Sequence, residues 1–414
     1  LGRRPACTAG SYVRIMDMNF LEKAKAIEDF IIEGRHYLHS HAELPYEEQE
    51  TTAFLVSELE KMGIPVITFS DYTGCIAVIE GGRPGKTLLL RADIDALPIE
   101  EKSGVDFASI HPGVMHACGH DCHAAMLLGA ARLLWECRSE LCGTVKLLFQ
   151  AAEEAFLGSH YYVDRGYLDG VDAAMGMHTW PSLAQGRIAV KDGPLMASCD
   201  NFVLTVKGVS AHGSTPNEGK DAIVAASAII CSLQTVVSRE VSPIEPLVVT
   251  VGKIRSGTQF NIVSDTAVME GTVRTYRREN RDLAEDSIRR IAARTAEALG
   301  CTIELEYNRI EPPVCNNDLA LNETARRAAR QVFGEEGLAK VPPATGSEDF
   351  SYIMEKIPSS LFVFLGTGDE ENGCSCPAHN EKFKVNDSAL TAGAAFYAQF
   401  AEAYLGSREE GEEK

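Results

Sequence analysis

A chain of 414 residues is too long for a single hydrophobic core, so at least two domains are expected. Its composition, 45% hydrophobic and 24% charged, is that of a folded globular protein. The formal charge of -20 repels phosphate backbones and anionic lipid, which excludes nucleic acid and membrane surfaces as partners and leaves anionic substrates to be held by local cations.

Leu1 to Ile15 lack an initiating Met and the apolar centre of a signal peptide, and residues 1–17 read as a tag or upstream segment; residues 407–414 read as a charged tail. From Phe20 to His39 and from Gln49 to Met62 apolar residues recur at three and four, predicting two helices separated at Pro45. Short apolar runs at Cys75–Ile79, Thr87–Leu90, Val145–Phe149 and Ala173–Met177 read as strands, with a helix over Ala124–Trp135 among them. Alternating strands and helices predict an α/β sheet layered with helices. No apolar run reaches the roughly 20 residues of a membrane span.

The pattern changes near Cys199. A strand through Phe202, Leu204 and Val206 is followed by a helix over Asp221–Val237 and strands at Leu247–Ile254 and Ala267–Tyr276. A helix over Arg281–Leu299 and a strand over Thr302–Tyr307 complete the order β-α-β-β-α-β, that of the ferredoxin-like unit. Beyond Pro312 and Pro313 come a helix over Asp318–Val332, a strand over Leu361–Leu365 and a helix over Ser388–Tyr404. The domain reading is a discontinuous catalytic domain, 18–198 and 310–406, with an inserted lid or dimerisation domain over 199–309. Twelve scattered cysteines, among them Cys374 and Cys376, suit a reducing, cytoplasmic setting.

Chemistry concentrates in Met115-His-Ala-Cys-Gly-His-Asp-Cys-His123, where three imidazoles, two thiols and a carboxylate fall within nine positions. Thiolate and imidazole are good ligands for zinc and related ions, although buried small residues opening a helix give the same composition. Glu153 and Glu154 follow an apolar strand, at the carboxyl end where α/β sheets place their sites. One could bind metal while the other reaches a water; an isolated Glu-Glu pair is otherwise a solvated turn. His178 ends another strand and His379 lies in a Cys-Pro-Ala-His-Asn loop, positions from which side chains converge on a pocket.

Taken together, the chain resembles the hippurate hydrolase and indole-acetyl-amino-acid amidohydrolase branch of the aminoacylase-type dinuclear metallopeptidases. The likeness is collinear from about Ile27 to Leu405. It is carried by His39-Ser-His-Ala-Glu-Leu44, Arg91-Ala-Asp-Ile-Asp-Ala-Leu-Pro98, His116-Ala-Cys-Gly-His-Asp121, Gln150-Ala-Ala-Glu-Glu154 and Gly176-Met-His178, then by Gly208-Val-Ser-Ala-His-Gly213, Gly346-Ser-Glu-Asp-Phe350 and Pro377-Ala-His379.

The resemblance implies a metallopeptidase-like α/β catalytic domain and a homodimer formed through the lid. It implies two divalent metal ions, manganese or zinc with cobalt able to substitute, on Cys118, His120, Glu154, His178 and His379, with Glu153 as general base. Arg91 stands where the wider clan has a ligand His, so it binds no metal, and Asp93 orients a ligand from behind. His212 would reach an active site, often that of the partner subunit, and stabilise the oxyanion; Asn261 and Arg274 would contact substrate, Arg274 by a two-pronged fork to a carboxylate. The expected reaction is hydrolysis of the amide of a small N-acyl amino acid. The alternatives are a dipeptidase or carboxypeptidase on the same site, a hydrolase with Cys118 as nucleophile, and a binding protein without chemistry.

Overall fold

The computed structural model describes residues 18–406. The segments read as tag and tail, 1–17 and 407–414, lie outside the described residues.

Seven strands form the larger sheet, in the order Val66–Thr68, Cys75–Glu80, Cys142–Gln150, Arg83–Asp93, Ala173–Ala184, Ser360–Gly368 and Ile188–Ala189. The four central strands are parallel to one another and the outer pairs antiparallel. The parallel strands alternate between two cores: Leu88, Leu90, Val145, Leu147, Val363 and Leu365 face one, while Leu89, Leu148, Phe362 and Phe364 face the other. Burial on both faces explains why these strands read as unbroken apolar runs rather than as an alternation. On the first face lie the helices Glu28–Ser40, His120–Glu136, Leu319–Phe333 and Leu390–Leu405; on the second lie Phe350–Lys356 and, packed on it, Gly158–Asp164.

A second sheet of four antiparallel strands runs in the order Leu247–Ser256, Thr266–Thr275, Cys199–Lys207 and Thr302–Glu311. The helices Ala222–Thr235 and Arg278–Ala298 cover it, and its core, from Phe202 to Cys301, is separate from the other two. Asp221 starts the first of these helices by accepting the N–H groups of Ile223 and Val224.

The mixed α/β architecture agrees with the sequence reading, and the differences are local. The helix expected over 20–39 is two, Phe20–Lys25 and Glu28–Ser40, because Ile27 leaves helical geometry; Phe20, Ala24, Ile31 and Leu38 still share one core, so the apolar spacing passes through the turn unchanged. The helix Ala222–Thr235 continues as a π-helical turn to Glu240, and these 19 residues are long and apolar enough to cross a membrane, contrary to the sequence expectation. A third of that segment is buried, through Ala222, Ala225, Ala226, Ile229, Leu233 and Val236 on the four-stranded sheet.

Candidate metal centre

The parallel strands end where the chemistry gathers. Asp93 and Gln150 are the last residues of their strands and pair in register, and His178 lies midway along the next strand. Gly119, at φ +93°, turns the chain into the helix that begins at His120; a Cβ there would sit 2.4 Å from the Thr179 hydroxyl, so the close approach of this loop to the His178 strand requires glycine.

Five side chains expected to hold metal come together. Cys118 Sγ lies 3.4 Å from His178 Nε2, and Glu154 Oε1 lies 3.3 Å from His379 Nε2 and 3.9 Å from His120 Nε2. Cys118, His120 and His178 form one group of converging donor atoms, and Cys118, Glu154 and His379 another. His178 Nδ1 donates to the Thr179 carbonyl at 2.7 Å, which fixes the tautomer and frees Nε2 to face Cys118. His379 is held at φ +64° with its N–H on the Ala117 carbonyl, so the loop near the end of the chain is tied to the Cys118 segment.

The donor set fits divalent ions. Both ring nitrogens of buried His120 and Oε1 of Glu154 lack hydrogen-bond partners, which is costly for buried polar atoms unless something binds them. Burial lowers the His120 pKa, but Asp93, Asp95 and Glu154 outweigh it and push it up to about 10, which marks an excess of negative charge around this ring. Burial and then Glu154, Glu153 and Asp93 push the Cys118 thiol far above its ordinary range, which argues against a free thiolate nucleophile; a cation is what would convert it to a ligand. Burial keeps His178 neutral, the form that binds metal.

Glu153 is 8% exposed. Burial, then Glu348, Glu154 and Asp349, raises its pKa well above the carboxylic range, the direction a general base working near neutrality needs. Its backbone is clamped by Asp95, which accepts the N–H groups of Glu153 at 3.0 Å and Glu154 at 2.8 Å.

Asp93 accepts from His123 Nδ1 at 2.5 Å and from Arg91 at 2.6 Å, with His120 Nε2 at 3.8 Å. His123 Nε2 in turn accepts the Thr179 N–H at 2.8 Å, so both of its nitrogens are occupied, although its ring also converges with Asp93 and His120 on a candidate ion position. Arg91, fully buried, also reaches Glu348 at 2.8 Å and Asp349 at 2.9 Å. It therefore supplies an internal counter-charge to three buried carboxylates.

Of the expected site residues in the four-stranded unit, Arg274 approaches the centre: it donates to Ser347 at 3.1 Å, next to Glu348. His212 and Asn261 do not. His212 ends the first strand of the ribbon Ala211–His212 and Ile262–Val263 and Asn261 immediately precedes the second; both are exposed, Gly213 N–H donates to the Asn261 carbonyl at 2.7 Å and Ser214 occupies His212 Nδ1.

Sequence reasoning assigned no role to Glu348, Asp349, Asp95, Glu48 or Asp121, although four of the five stand inside recognised motifs. Glu48, outside them, accepts the Ala152 N–H at 2.8 Å and is pushed up to about 7 by burial and then Asp95. Asp121 anchors a buried network on the far side of His120, accepting from Arg35 at 3.0 Å and from His39 at 2.9 Å, while His39 also meets Glu101 at 3.0 Å. Burial lowers the His39 pKa, but Asp121 and Glu101 outweigh it and raise it to about 9 from 6.5. The stability this imidazolium contributes is therefore complete below pH 6.5 and disappears as pH rises through about 9. His39→Gln should cost roughly 3 kcal/mol at low pH and progressively less toward high pH. Denaturant unfolding of both proteins across that range checks it, and a cost independent of pH would contradict it.

The sequence profile of peptidase family M20/M25/M40 matches residues 89–403. An N-acetyl-L-cysteine deacetylase of Bacillus subtilis is 40% identical over 387 residues, 93% of this chain and 90% of its own. Thermostable carboxypeptidase 2 of Saccharolobus solfataricus is 37% identical over 391 residues, 93% of this chain and 98% of its own. Among solved structures, the YXEP protein of Bacillus subtilis, described as a dinuclear metal binding peptidase, is similar with a TM-score of 0.83 and 38% identity, over 93% of this chain and 100% of its own. With its profile spanning most of the chain and relatives of this identity covered nearly end to end, the chain is a hydrolase belonging to peptidase family M20/M25/M40.

Proposed function

We propose that this protein hydrolyses the amide bond of N-acyl amino acids, releasing a carboxylic acid and a free amino acid, within the hippurate and indole-acetyl-amino-acid hydrolase branch of its family. The observation that carries the reading is the convergence of Cys118, His120, Glu154, His178 and His379 beside a buried Glu153 of raised pKa. Those five side chains would hold two divalent ions, manganese or zinc. Bound divalent ions supply Lewis acidity to an amide carbonyl and ease the deprotonation of water.

Glu153 takes the proton of the attacking water and passes it to the departing nitrogen, so that a neutral amine leaves. Asp93 and Asp95 act from behind, the first on the His120 and His123 rings, the second on the backbone of Glu153 and Glu154. Arg274 grips the substrate carboxylate, Asn261 contacts the substrate, and His212 stabilises the oxyanion.

The four-stranded unit serves as a ferredoxin-like lid over residues 199–309, a reading supported by its strand order, with the two long edges of the unit at Leu247–Ser256 and Thr302–Glu311. The outer face of the helix from Ala222 exposes Ile223, Val224 and Val237, and the edge strand exposes Val248 and Ile254. An apolar helix face beside an unpaired strand edge supports a homodimer through this unit. Such a dimer would carry His212 and Asn261 to the partner subunit's centre, which accounts for their distance from the metal ligands of their own chain.

The carboxypeptidase name of one relative favours a second reading, cleavage of peptides on the same centre. The test is release of free amino acid from N-acyl amino acids and from dipeptides, by apo protein reloaded with manganese, zinc or cobalt and with chelator as control. Metal-dependent release from acyl amino acids, with dipeptides cleaved at least about tenfold more slowly, is expected. The reverse order would establish the peptidase.

A further inference from the structure

The turn that carries the proposed base is held by acceptors from outside it. Ala152, buried, stands at φ 60° and ψ 39°, and the chain continues from it into Glu153 and Glu154. The left-handed region crowds a Cβ against the following carbonyl, so a residue other than glycine stays there only where its surroundings hold it. Four successive N–H groups show what does. Ala151 donates to the Tyr162 hydroxyl at 3.3 Å, Ala152 to Glu48 Oε1 at 2.8 Å, and Glu153 and Glu154 to Asp95.

Glu48 has a local task that it does not perform. It occupies the N-cap position of the helix Gln49–Lys61, where an acidic side chain ordinarily takes the first free N–H groups of its own helix. Its carboxylate caps nothing there. Glu43 takes those groups instead, accepting from Gln49 at 3.1 Å, Glu50 at 3.0 Å and Thr51 at 2.8 Å. Glu48, fully buried, reaches away from its helix: Oε1 meets Ala152, and Oε2 takes the Thr73 hydroxyl at 2.5 Å. Its carbonyl accepts the Thr52 hydroxyl at 2.5 Å, and that oxygen accepts the Gly74 N–H at 2.8 Å, so the loop bearing Thr73 is tied to the start of the same helix.

We propose that Glu48 is a positioning residue for the hydrolysis: by holding the Ala152 N–H it keeps the turn left-handed and so aims the Glu153 carboxylate at the attacking water. This rests on the amidohydrolase reading above, with Glu153 as its base. What acts is an acceptor at one place rather than a charge. Burial and then Asp95 push Glu48 up to about 7, so near neutrality it exists with and without its proton. Oε1 accepts from Ala152 either way, while the Thr73 hydroxyl turns from donor to acceptor. Glutamine reproduces the protonated form, with its oxygen toward Ala152 and its amide N–H toward Thr73. Aspartate keeps the charge but is one methylene too short to reach.

The test measures kcat, KM and metal content for metal-loaded Glu48→Asp, Glu48→Gln and the double variant Glu48→Asp with Ala152→Gly on an N-acyl amino acid, together with hydrogen exchange over residues 150–156. Glu48→Asp should lose about tenfold to a hundredfold in kcat, the effect of a base displaced by about an ångström, with KM and metal content unchanged and exchange faster. Glu48→Gln should stay within about threefold of wild type. Adding Ala152→Gly, which takes the left-handed conformation unaided, should recover at least about fivefold of the kcat lost in Glu48→Asp. A merely structural Glu48 would lower the melting temperature without separating kcat from KM. Wild-type kcat in Glu48→Asp, an equal loss in Glu48→Gln, a loss carried by KM or metal content, or no recovery on adding Ala152→Gly overturns the positioning role and leaves the amidohydrolase reading standing. No release from any N-acyl amino acid by loaded wild type overturns both.

Discussion

Glu153→Gln should retain bound metal and lose turnover by about a hundredfold to ten-thousandfold, the range a general base supplies. Glutamine keeps the shape of the side chain but cannot accept the proton of water or return it to the leaving nitrogen. The five proposed ligands are untouched, so metal content by elemental analysis should match wild type while kcat falls. Near-normal kcat in fully loaded Glu153→Gln would remove Glu153 from the role of base. The same variant tests the proposed homodimer. Mixed and re-associated with His212→Ala, it should regain roughly a quarter of wild-type activity, because half of a statistical mixture is heterodimer and one of its two sites is whole. Each variant alone stays nearly inactive. If no activity returns on mixing, His212 serves its own subunit or none.

Arg91→Met should be strongly destabilising, costing about 3–5 kcal/mol, because removing one side of a buried charge network leaves the other side uncompensated. Asp93, Glu348 and Asp349 all meet this guanidinium within 2.9 Å, and all are buried. Burial already pushes Asp349 up to about 7, even though Arg91 pulls it down; without the arginine it would rise further. Denaturant unfolding of metal-free protein isolates this effect from ligand binding. Arg91→Lys keeps the charge but not the fork, so it should lie between wild type and Met. An unfolding midpoint unchanged in both variants would show that the carboxylates satisfy one another by sharing protons.

What was legible in the sequence was whatever has a short repeat or a short motif. Leu88 to Leu90, Val145 to Phe149 and Leu361 to Leu365 are apolar at every position because both sides of the sheet are covered, and such runs stand out. The ligand types were legible because Cys118, His120 and Glu154 fall in dense clusters. The partners of Arg91 were not: Asp93 is two residues away, but Glu348 and Asp349 are more than 250 residues on, and pairing across that distance leaves no local trace. The short helix Phe350–Lys356 and the strand Val66–Thr68 went unseen because neither is long enough to show a period. The turn at Ala26–Ile27 went unseen for the opposite reason, since the period runs straight across it. The exposed ribbon of His212 and Asn261 could not be placed from one chain's sequence, since what it faces is not set by its own residues.

The strand Ser360–Gly368 lies between Ala173–Ala184 and Ile188–Ala189 in the large sheet, yet the whole four-stranded unit is encoded before it. During synthesis the strand Ala173–Ala184 must therefore wait, one edge bare, for some 175 residues; at about 5–20 residues per second that is roughly ten to forty seconds. Through that interval its Ala-Ala-Met-Gly-Met stretch is an open template for other nascent chains, with neither charge nor proline to blunt it. The step that completes the sheet is also what delivers His379, so a ribosome-bound chain can gather Cys118, His120, Glu154 and His178 early but cannot close the donor set until its end is nearly made. Yield of this protein in a cell is thus tied to the speed of translation and to whatever shields one edge of one strand, quite apart from how stable the finished molecule is.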